Sequence, residues 1–293
     1  MAPANSLMLS IAGLRVQVEP DPSVRVEAGR DYAHFLVDPA RDGPADLTIH
    51  VGPSGDRAQL PTGERLFRAS ETWELYRGTA DDDRVLQWSR DAPIRADAHF
   101  SADFSQCDLR IDPWPGPQTL TTLPPLVEIG FQTRAARLHG GFLVHAVGLD
   151  LDGVGLLLPG SSGRGKSTLA ELLPEAAAIS DERVAVAAVA DSGFAIHGTP
   201  WRGTAKRIRA ACAPLRAVVF LGPHEQPASL RPLPRAEAFR RLVFHAFPPW
   251  WDRPGLERVI DQALAVVSAV PTYEMRFVPD ASVIDLLAQA IEA

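Results

Sequence analysis

The stretch LLLPGSSGRGKSTLAELL, residues 156–173, runs from an apolar segment through a glycine-rich turn into a segment with the pattern of a helix. Residues 160–167 fit the pattern G-x-x-x-x-G-K-[ST] at every fixed position. An apolar strand predicted over 154–158 ends immediately before it, and the helical pattern starts at Gly165. This order of strand, loop and helix is the context in which the pattern binds nucleotide phosphates. The stretch therefore predicts a nucleotide-binding domain.

Each residue type in the loop has a physical reason. Glycines let successive backbone N–H groups turn inward around an anion, and a helix N-terminus adds a partial positive charge. Lys166 supplies an ammonium in a chain with only one other lysine, Lys206, among its 29 Lys and Arg residues. We expect the Ser167 hydroxyl on Mg²⁺ and Thr168 beside the α- or β-phosphate. The predicted nucleotide contacts are Gly160, Ser161, Ser162, Gly163, Arg164, Gly165, Lys166, Ser167 and Thr168.

Two acidic residues and one histidine flank this loop in the sequence. Asp181 and Glu182 directly follow the apolar run AAAIS, and a carboxylate at such a strand end can hold Mg²⁺ or accept a hydroxyl proton. The alternative is a surface turn in which Arg183 pairs with the acids. His145 lies in the apolar run GFLVHAVGL, where it is either a core residue or a phosphate-facing one. The residues alone leave both alternatives open.

Length, charge and composition limit the classes of protein to which this chain can belong. A length of 293 residues predicts one large domain or two unequal ones. The net charge of −7 gives no global basic surface, so a nucleic-acid partner is disfavoured. We find no apolar window of membrane-spanning length and no signal-peptide pattern, so we expect no membrane partner and a cytoplasmic location. Cys107 and Cys212 have neither zinc-type spacing nor a disulfide framework.

The pattern of apolar and polar residues changes along the chain. About the first 115 residues contain short apolar runs separated by Gly, Pro and Asp, which predicts an antiparallel β domain. The proline-rich segment 112–125 is the predicted boundary, giving a β-rich N-terminal domain over 1–118 and a phosphate-loop domain over 119–293. In the second part strands and helices alternate, with helices predicted near 234–247 and 253–269. This alternation predicts an α/β domain with a layered sheet.

The segment VHAVGLDLDGVGLLLPGSSGRGKSTLAELL, followed by ISDERV, resembles the catalytic domain of HPr kinase/phosphorylase and its shorter bacterial relatives, described as HPr-kinase-like or serine kinases. The resemblance covers roughly residues 125–293. It implies an α/β P-loop kinase-like domain of the HPr kinase and phosphoenolpyruvate carboxykinase type, preceded by a smaller β-rich N-terminal domain. It also implies transfer of the γ-phosphoryl of ATP to a hydroxyl, with His145 near the γ-phosphate. Mg²⁺ would then be held by Ser167, Asp181 and Glu182, and one of the two acids would accept the proton.

The chain departs from the family in two places. The family's acidic pair is usually two aspartates, whereas the second acid here is Glu182. The later glycine-rich signature is replaced by IHGTPWRGTAKRI, residues 196–208, which begins a basic segment. Arg202 in this segment is a candidate contact for the transferring phosphate or for an acidic acceptor, and the alternative is a solvated basic surface. Full-length HPr kinases of this type are hexameric, so the resemblance allows a homo-oligomer.

The leading functional hypothesis is an ATP- and Mg²⁺-dependent kinase acting on a hydroxyl, most simply a serine of a peptide or protein. A second hypothesis is a scaffold that binds nucleotide as a switch and transfers nothing. A third is a carboxykinase-like phosphotransferase acting on a small metabolite. The sequence does not separate the acceptors, because the basic segment suits either of them.

Overall fold

The computed structural model describes residues 6–39, 43–54, 63–69, 73–78, 84–88, 96–111, 118–120, 126–139, 141–161, 163, 165–189, 193–278, 280 and 282–292. The chain forms two compact units, one of Met1–Arg134 with Pro249–Arg253 and one of Ala135–Pro248 with Pro254–Ala293. No helix in these described ranges is long and apolar enough to cross a membrane.

The first unit is built mainly of strands. They are β1 (Leu7–Ile11), β2 (Leu14–Pro20), β3 (Val26–Glu27), β4 (Leu47–Pro53), β5 (Arg65–Ala69), β6 (Trp73–Arg77), β7 (Arg84–Trp88), β8 (Ala96–Phe100), β9 (Gln106–Ile111) and β10 (Gln118–Thr119). A helical turn α1 (Gly29–Tyr32) continues into a 3-10 turn (Ala33–Phe35). The helix α2 (Leu126–His139) begins in this unit and ends in the second one.

The main sheet of the first unit is mixed, in the order β1-β2-β4-β9-β8-β7-β6-β5. Its pairs are antiparallel except for β2 with β4 and β4 with β9, which are parallel. The sequence predicts an antiparallel domain here, and the parallel centre departs from that prediction. Short apolar runs show where strands lie, but they do not show which distant strand each one pairs with.

The second unit carries the glycine-rich loop. Its strands are β11 (Phe142–Leu151), β12 (Val154–Pro159), β13 (Ala178–Ser180), β14 (Arg183–Val189), β15 (Gly193–His197), β16 (Cys212–Leu221), β17 (Ser229–Pro232), β18 (Ala246–Phe247) and β19 (Thr272–Arg276). Its helices are α3 (Lys166–Leu172), α4 (Arg235–His245), α5 (Arg253–Ala269) and α6 (Ser282–Glu292). The helices predicted near 234–247 and 253–269 thus agree with α4 and α5.

Five of these strands close into a barrel, in the order β12-β11-β14-β15-β16 with β16 returning to β12. The first four pairings are antiparallel and the closing one is parallel. The sheet then continues from β16 to β19 and β17. The predicted fold class, an α/β P-loop kinase-like domain of the HPr kinase type behind a smaller β-rich domain, is wrong. The chain is instead a mixed α/β protein with a closed five-stranded barrel and a small helical content.

The physical reason for this difference lies in two hairpins. The segments FLVHAVGLDL and VGLLLP form the hairpin β11-β12, and RVAVAAV and GFAIH form β14-β15. Consecutive antiparallel strands twist and curl, so they close on themselves instead of forming an open layered sheet. Gly155 permits the closure, because a Cβ at this position would lie 2.7 Å from the Pro214 carbonyl oxygen of β16.

The second unit has two hydrophobic clusters. One includes Val144, Leu157 and Val218 with residues of α4 and α5, and the other includes Leu156 and Leu158 with residues of α3 and α6. Strand β12 therefore places alternate side chains in the two clusters. Since it pairs with β11 on one side and β16 on the other, it fixes the point where the glycine-rich loop begins.

Candidate functional site

The glycine-rich loop connects β12 to α3, which agrees with the predicted order of strand, loop and helix. Gly160 is buried at the end of β12 and donates its N–H to the His145 carbonyl oxygen, at 3.4 Å. Gly163 and Gly165 have φ values of +78° and +84°, in the region where side chains are disfavoured. Ser161 and Thr168 are exposed, whereas Ser162 and Arg164 lie outside the described residues.

Lys166 is buried and begins helix α3. Its ammonium donates to the carbonyl oxygens of Gly160 and Ser161, with Nζ–O distances of 2.8 and 3.2 Å. Burial lowers the pKa of Lys166, while the charges of Glu182 and Asp181 act in the opposite direction. The Lys166 ammonium is thus held at the loop, within range of the charges of both carboxylates of the acidic pair.

Strand pairing brings the acidic pair beside the loop. Strand β13 pairs with β11, and Asp181 and Glu182 form the turn between β13 and β14. Since β14 also pairs with β11, with Arg183 opposite His145, the turn lies next to the histidine. The structure thus places His145, Lys166 and the acidic pair in one region, although they come from three separate parts of the fold: β11, α3 and the turn between β13 and β14.

Each carboxylate oxygen of Glu182 has a nitrogen partner. Its Oε2 lies 3.3 Å from His145 Nε2, and its Oε1 accepts from Arg183 at 3.1 Å. The guanidinium of Arg183 in turn lies 4.4 Å from the centre of the Phe247 ring. The hydrogen bond from His145 is the main cause that lowers the pKa of Glu182, with further lowering by the charges of His145, Arg183 and Lys166. Glu182 therefore remains ionised well into the acidic range.

Asp181 differs from Glu182 in having one carboxylate oxygen without a hydrogen-bond partner among the described residues. Its side chain is 1% exposed, and its Oδ1 accepts the backbone N–H of Gly203 at 2.9 Å. Its Oδ2 is buried, and no hydrogen-bond partner for it is found in the described part of the chain. A buried, unpaired polar atom is costly and calls for a functional explanation. Oδ2 is accordingly the atom of the site that is best suited to receive a cation or a proton.

The segment Gly203-Thr204 joins the acidic pair to the loop. A Cβ at Gly203 would lie 3.0 Å from Asp181 Oδ2, so a glycine lets the backbone approach the carboxylate. The next residue, Thr204, has its hydroxyl 2.7 Å from the Ser167 hydroxyl. Asp181 thus contacts Gly203, and Ser167 contacts the next residue, Thr204. Sequence analysis misses both contacts, because only the basic residues of this segment carry a recognisable signal.

The basic residues near Gly203 have a partly structural role. Arg207 lies 3.3 Å from Glu175, and Arg209 donates to the carbonyl oxygen of Ala176. These two arginines therefore hold the turn that follows α3. Arg202 is exposed immediately before Gly203, and its predicted contact with a phosphate or an acceptor stays a prediction.

Two histidines without a predicted role lie near the site. Burial lowers the pKa of His245 to about 4, assisted by the charges of His145, Lys166 and Arg241, so its imidazole is neutral at pH 7. His224 lies on the other side of the loop, with Nε2 3.5 Å from the Cβ position of Gly165. Neither histidine shows a sequence signal, because its place depends on pairing between distant strands.

The sequence matches no protein-family model, and no curated protein shows a significant match to it. The functional argument that follows therefore depends on the geometry of this site.

A pH-dependent stability difference is expected for Glu182→Gln. Because the folded-state pKa of Glu182 lies below its ordinary value of 4.5, the ionised carboxylate stabilises the fold above that pH. This contribution is lost as the pH falls through the folded-state pKa. The Tm advantage of the wild type over Glu182→Gln should therefore be full at pH 5 and decline towards pH 3. Thermal unfolding monitored by circular dichroism measures it.

The matched control is Glu171→Gln, on the exposed side of α3. Its Tm difference from the wild type should change little over the same pH range. A constant Tm difference for Glu182→Gln down to pH 3 would contradict the ion pair with His145.

Proposed function

We propose that the protein is an ATP-dependent phosphotransferase that moves the γ-phosphoryl group of ATP to a hydroxyl, most simply a serine of a peptide or protein. The proposal concerns the site and does not depend on the fold predicted from the sequence. The observation that carries it is the combination of a buried Lys166 at a glycine-rich loop with Asp181, whose charge acts on the Lys166 ammonium and whose buried Oδ2 has no hydrogen-bond partner among the described residues.

The loop supports phosphate binding through its charge and its backbone. Lys166 is already satisfied by two loop carbonyl oxygens, and its ammonium has a third donor for a phosphate oxygen. Glycines with positive φ on both sides of position 164 allow backbone N–H groups to turn towards an anion. Because β12 is paired on both sides, the point where the loop begins is fixed before the ligand arrives.

The residues present fit a bound Mg²⁺. The buried Asp181 Oδ2 has no hydrogen-bond partner among the described residues. The Ser167 hydroxyl contacts Thr204, and the N–H of the preceding Gly203 donates to the other oxygen of Asp181, Oδ1. No three His, Cys, Asp or Glu residues cluster as a metal site within the described ranges, but Mg²⁺ at a nucleotide needs only one or two protein ligands beside phosphate oxygens and water. When bound, the ion neutralises charge on the phosphates. Asp181 and Ser167 would hold it.

In the proposed transfer, one bond to the γ-phosphorus forms and another breaks. The acceptor oxygen forms a bond to the γ-phosphorus, and the bond from that phosphorus to the oxygen bridging the β- and γ-phosphates breaks. The leaving group is ADP, and the hydroxyl proton passes to a carboxylate of the acidic pair. Asp181 Oδ2 is the available oxygen of the pair, because His145 and Arg183 already occupy both oxygens of Glu182. This one oxygen either holds Mg²⁺ or accepts the proton, and the Mg²⁺ dependence of Asp181→Asn decides between these two roles. The contact with Glu182 would then orient the His145 imidazole towards the transferring phosphoryl group.

The proposed function also includes the class of acceptor and the cellular location. We propose an acceptor that is a peptide or protein, with Arg202 as a contact for the transferring phosphate or for acidic residues of the acceptor. We also propose a cytoplasmic location, where ATP and Mg²⁺ are both supplied.

The decisive experiment is single-turnover transfer from ATP radiolabelled at the γ-phosphate, with Mg²⁺. The acceptors are peptide pools, protein extracts and small hydroxylated metabolites, each tested separately. Label in a peptide or protein supports the proposal and identifies the acceptor. Label only in a small metabolite would support phosphoryl transfer but would overturn a peptide or protein as the acceptor. Stoichiometric ATP binding with no transfer to any pool would refute the kinase and favour a nucleotide-dependent scaffold.

A further inference from the structure

Three parallel strands end at the edge of the sheet where the loop lies. Strand β12 is parallel to β16, and β16 is parallel to β19. The loop follows β12, the residues Gly222-Pro223-His224 follow β16, and Phe277 follows β19. Carboxyl ends of adjacent parallel strands meet at one edge, which is where such sheets bind ligands. Gly160 confirms this meeting, since a Cβ there would lie 3.2 Å from the Cβ of Leu221.

His224 borders the loop at this edge. Its Nε2 lies 3.5 Å from the Cβ position of Gly165, the residue before Lys166. Its ring is tilted against Phe277, with ring centres 6.0 Å apart. Phe277 is fully buried and His224 is exposed, so the phenyl ring supports the imidazole from below. The result is an exposed aromatic ring held beside the loop.

The strand order separates the two sides of the loop. Strand β11, on one side of β12, carries His145 and pairs with the strands that flank Asp181 and Glu182. Strand β16, on the other side, leads to His224. A nucleoside triphosphate is a linear chain, so a γ-phosphate near the acids directs the nucleoside away from them. The loop then lies under the phosphates, and His224 lies on the nucleoside side.

We propose that His224 binds the base of the nucleotide, with its imidazole face packed against the base and with Phe277 supporting it. This inference rests on the proposed function, since it needs a nucleotide at the loop. It adds a determinant that distinguishes a nucleotide from a bare polyphosphate. Stacking on an aromatic side chain depends on the π face of the base, so discrimination among the bases should be weak.

The test compares two ligands in calorimetric binding experiments with Mg²⁺: ATP and inorganic tripolyphosphate, which lacks the nucleoside. For His224→Ala we expect a Kd for ATP about tenfold higher, the effect of losing one aromatic stack. The Kd for tripolyphosphate should stay within about twofold of the wild type, because the triphosphate contacts are unchanged. His224→Phe should restore ATP binding, since it keeps the ring face.

His34→Ala, at an exposed histidine of the first unit, is the matched control and should bind both ligands normally. Equal weakening of both ligands by His224→Ala, or no weakening of either, would overturn the role of His224 and leave the proposed function standing. If the wild type binds neither ligand, or if Lys166→Ala binds both normally, the proposed function fails and the inference fails with it.

Discussion

Lys166→Ala should raise the Kd for ATP by about 100-fold, since it removes a charge-assisted contact worth about 3 kcal/mol. Transfer should fall further, by about 10²–10³ in kcat, because the ammonium also stabilises charge that develops on the transferring group. Burial makes both effects large: Lys166 is only 6% exposed, and water cannot replace its ammonium. Calorimetric binding and single-turnover transfer measure the two effects separately.

The chain offers a matched control for this substitution in its other lysine. Lys206 is exposed, and Lys206→Ala should change Kd and kcat by less than about twofold. Because Lys166→Ala leaves two loop carbonyl oxygens without their donor, its Tm must be measured beside the activity. A variant that is folded and binds ATP as tightly as the wild type would refute the phosphate role of the loop.

Asp181→Asn should remove transfer while leaving the fold at least as stable. The amide oxygen can still accept from the Gly203 N–H, and the substitution neutralises a buried oxygen that has no partner among the described residues. We therefore expect an unchanged or higher Tm with a loss of about 10²–10⁴ in transfer, the usual effect of losing a proton acceptor. Higher stability with lower activity is typical of a residue kept for function.

Asp150→Asn is the control for Asp181→Asn. Asp150 also accepts the N–H of a glycine, Gly153, but it lies in β11 near the hairpin that joins β11 to β12, at the opposite end of β12 from the loop. Asp150→Asn should leave transfer unchanged. Unchanged transfer in Asp181→Asn would contradict a reactive role for Oδ2.

Magnesium titration of Asp181→Asn would separate the two roles of Oδ2. If the oxygen mainly holds the ion, the variant should need more Mg²⁺ for half-maximal ATP binding. If it mainly accepts the proton, Mg²⁺ dependence should stay as in the wild type, and the transfer rate should lose its dependence on pH.

Local features of this chain could be predicted from its sequence, but pairings between distant segments could not. The order of β12, loop and α3 depends on neighbouring residues, and so do α4 and α5, so their patterns are visible in the sequence. The barrel depends on which strands meet, and the parallel pair of β12 and β16 joins segments separated by β13, β14 and β15. That pair also brings His224 to the loop, which explains why the sequence gives no signal for it.

The acidic pair could be predicted from the sequence only in part. Its place after an apolar run could be predicted, since both residues follow β13 directly. The different states of Asp181 and Glu182 could not, because they depend on Gly203, His145 and Arg183. Two adjacent carboxylates thus acquire different roles from contacts that only the folded chain provides.

The position of β12 in the barrel also limits how the chain can change in length. Leu157 belongs to one hydrophobic cluster, and Leu156 and Leu158 belong to the other. Deleting one residue within β12 would exchange these side chains between the clusters and break the register with β11 and β16. A change in length is therefore excluded from the strand, and also from the segment between Gly160 and Lys166, whose span is fixed by the bonds from the Lys166 ammonium to Gly160 and Ser161.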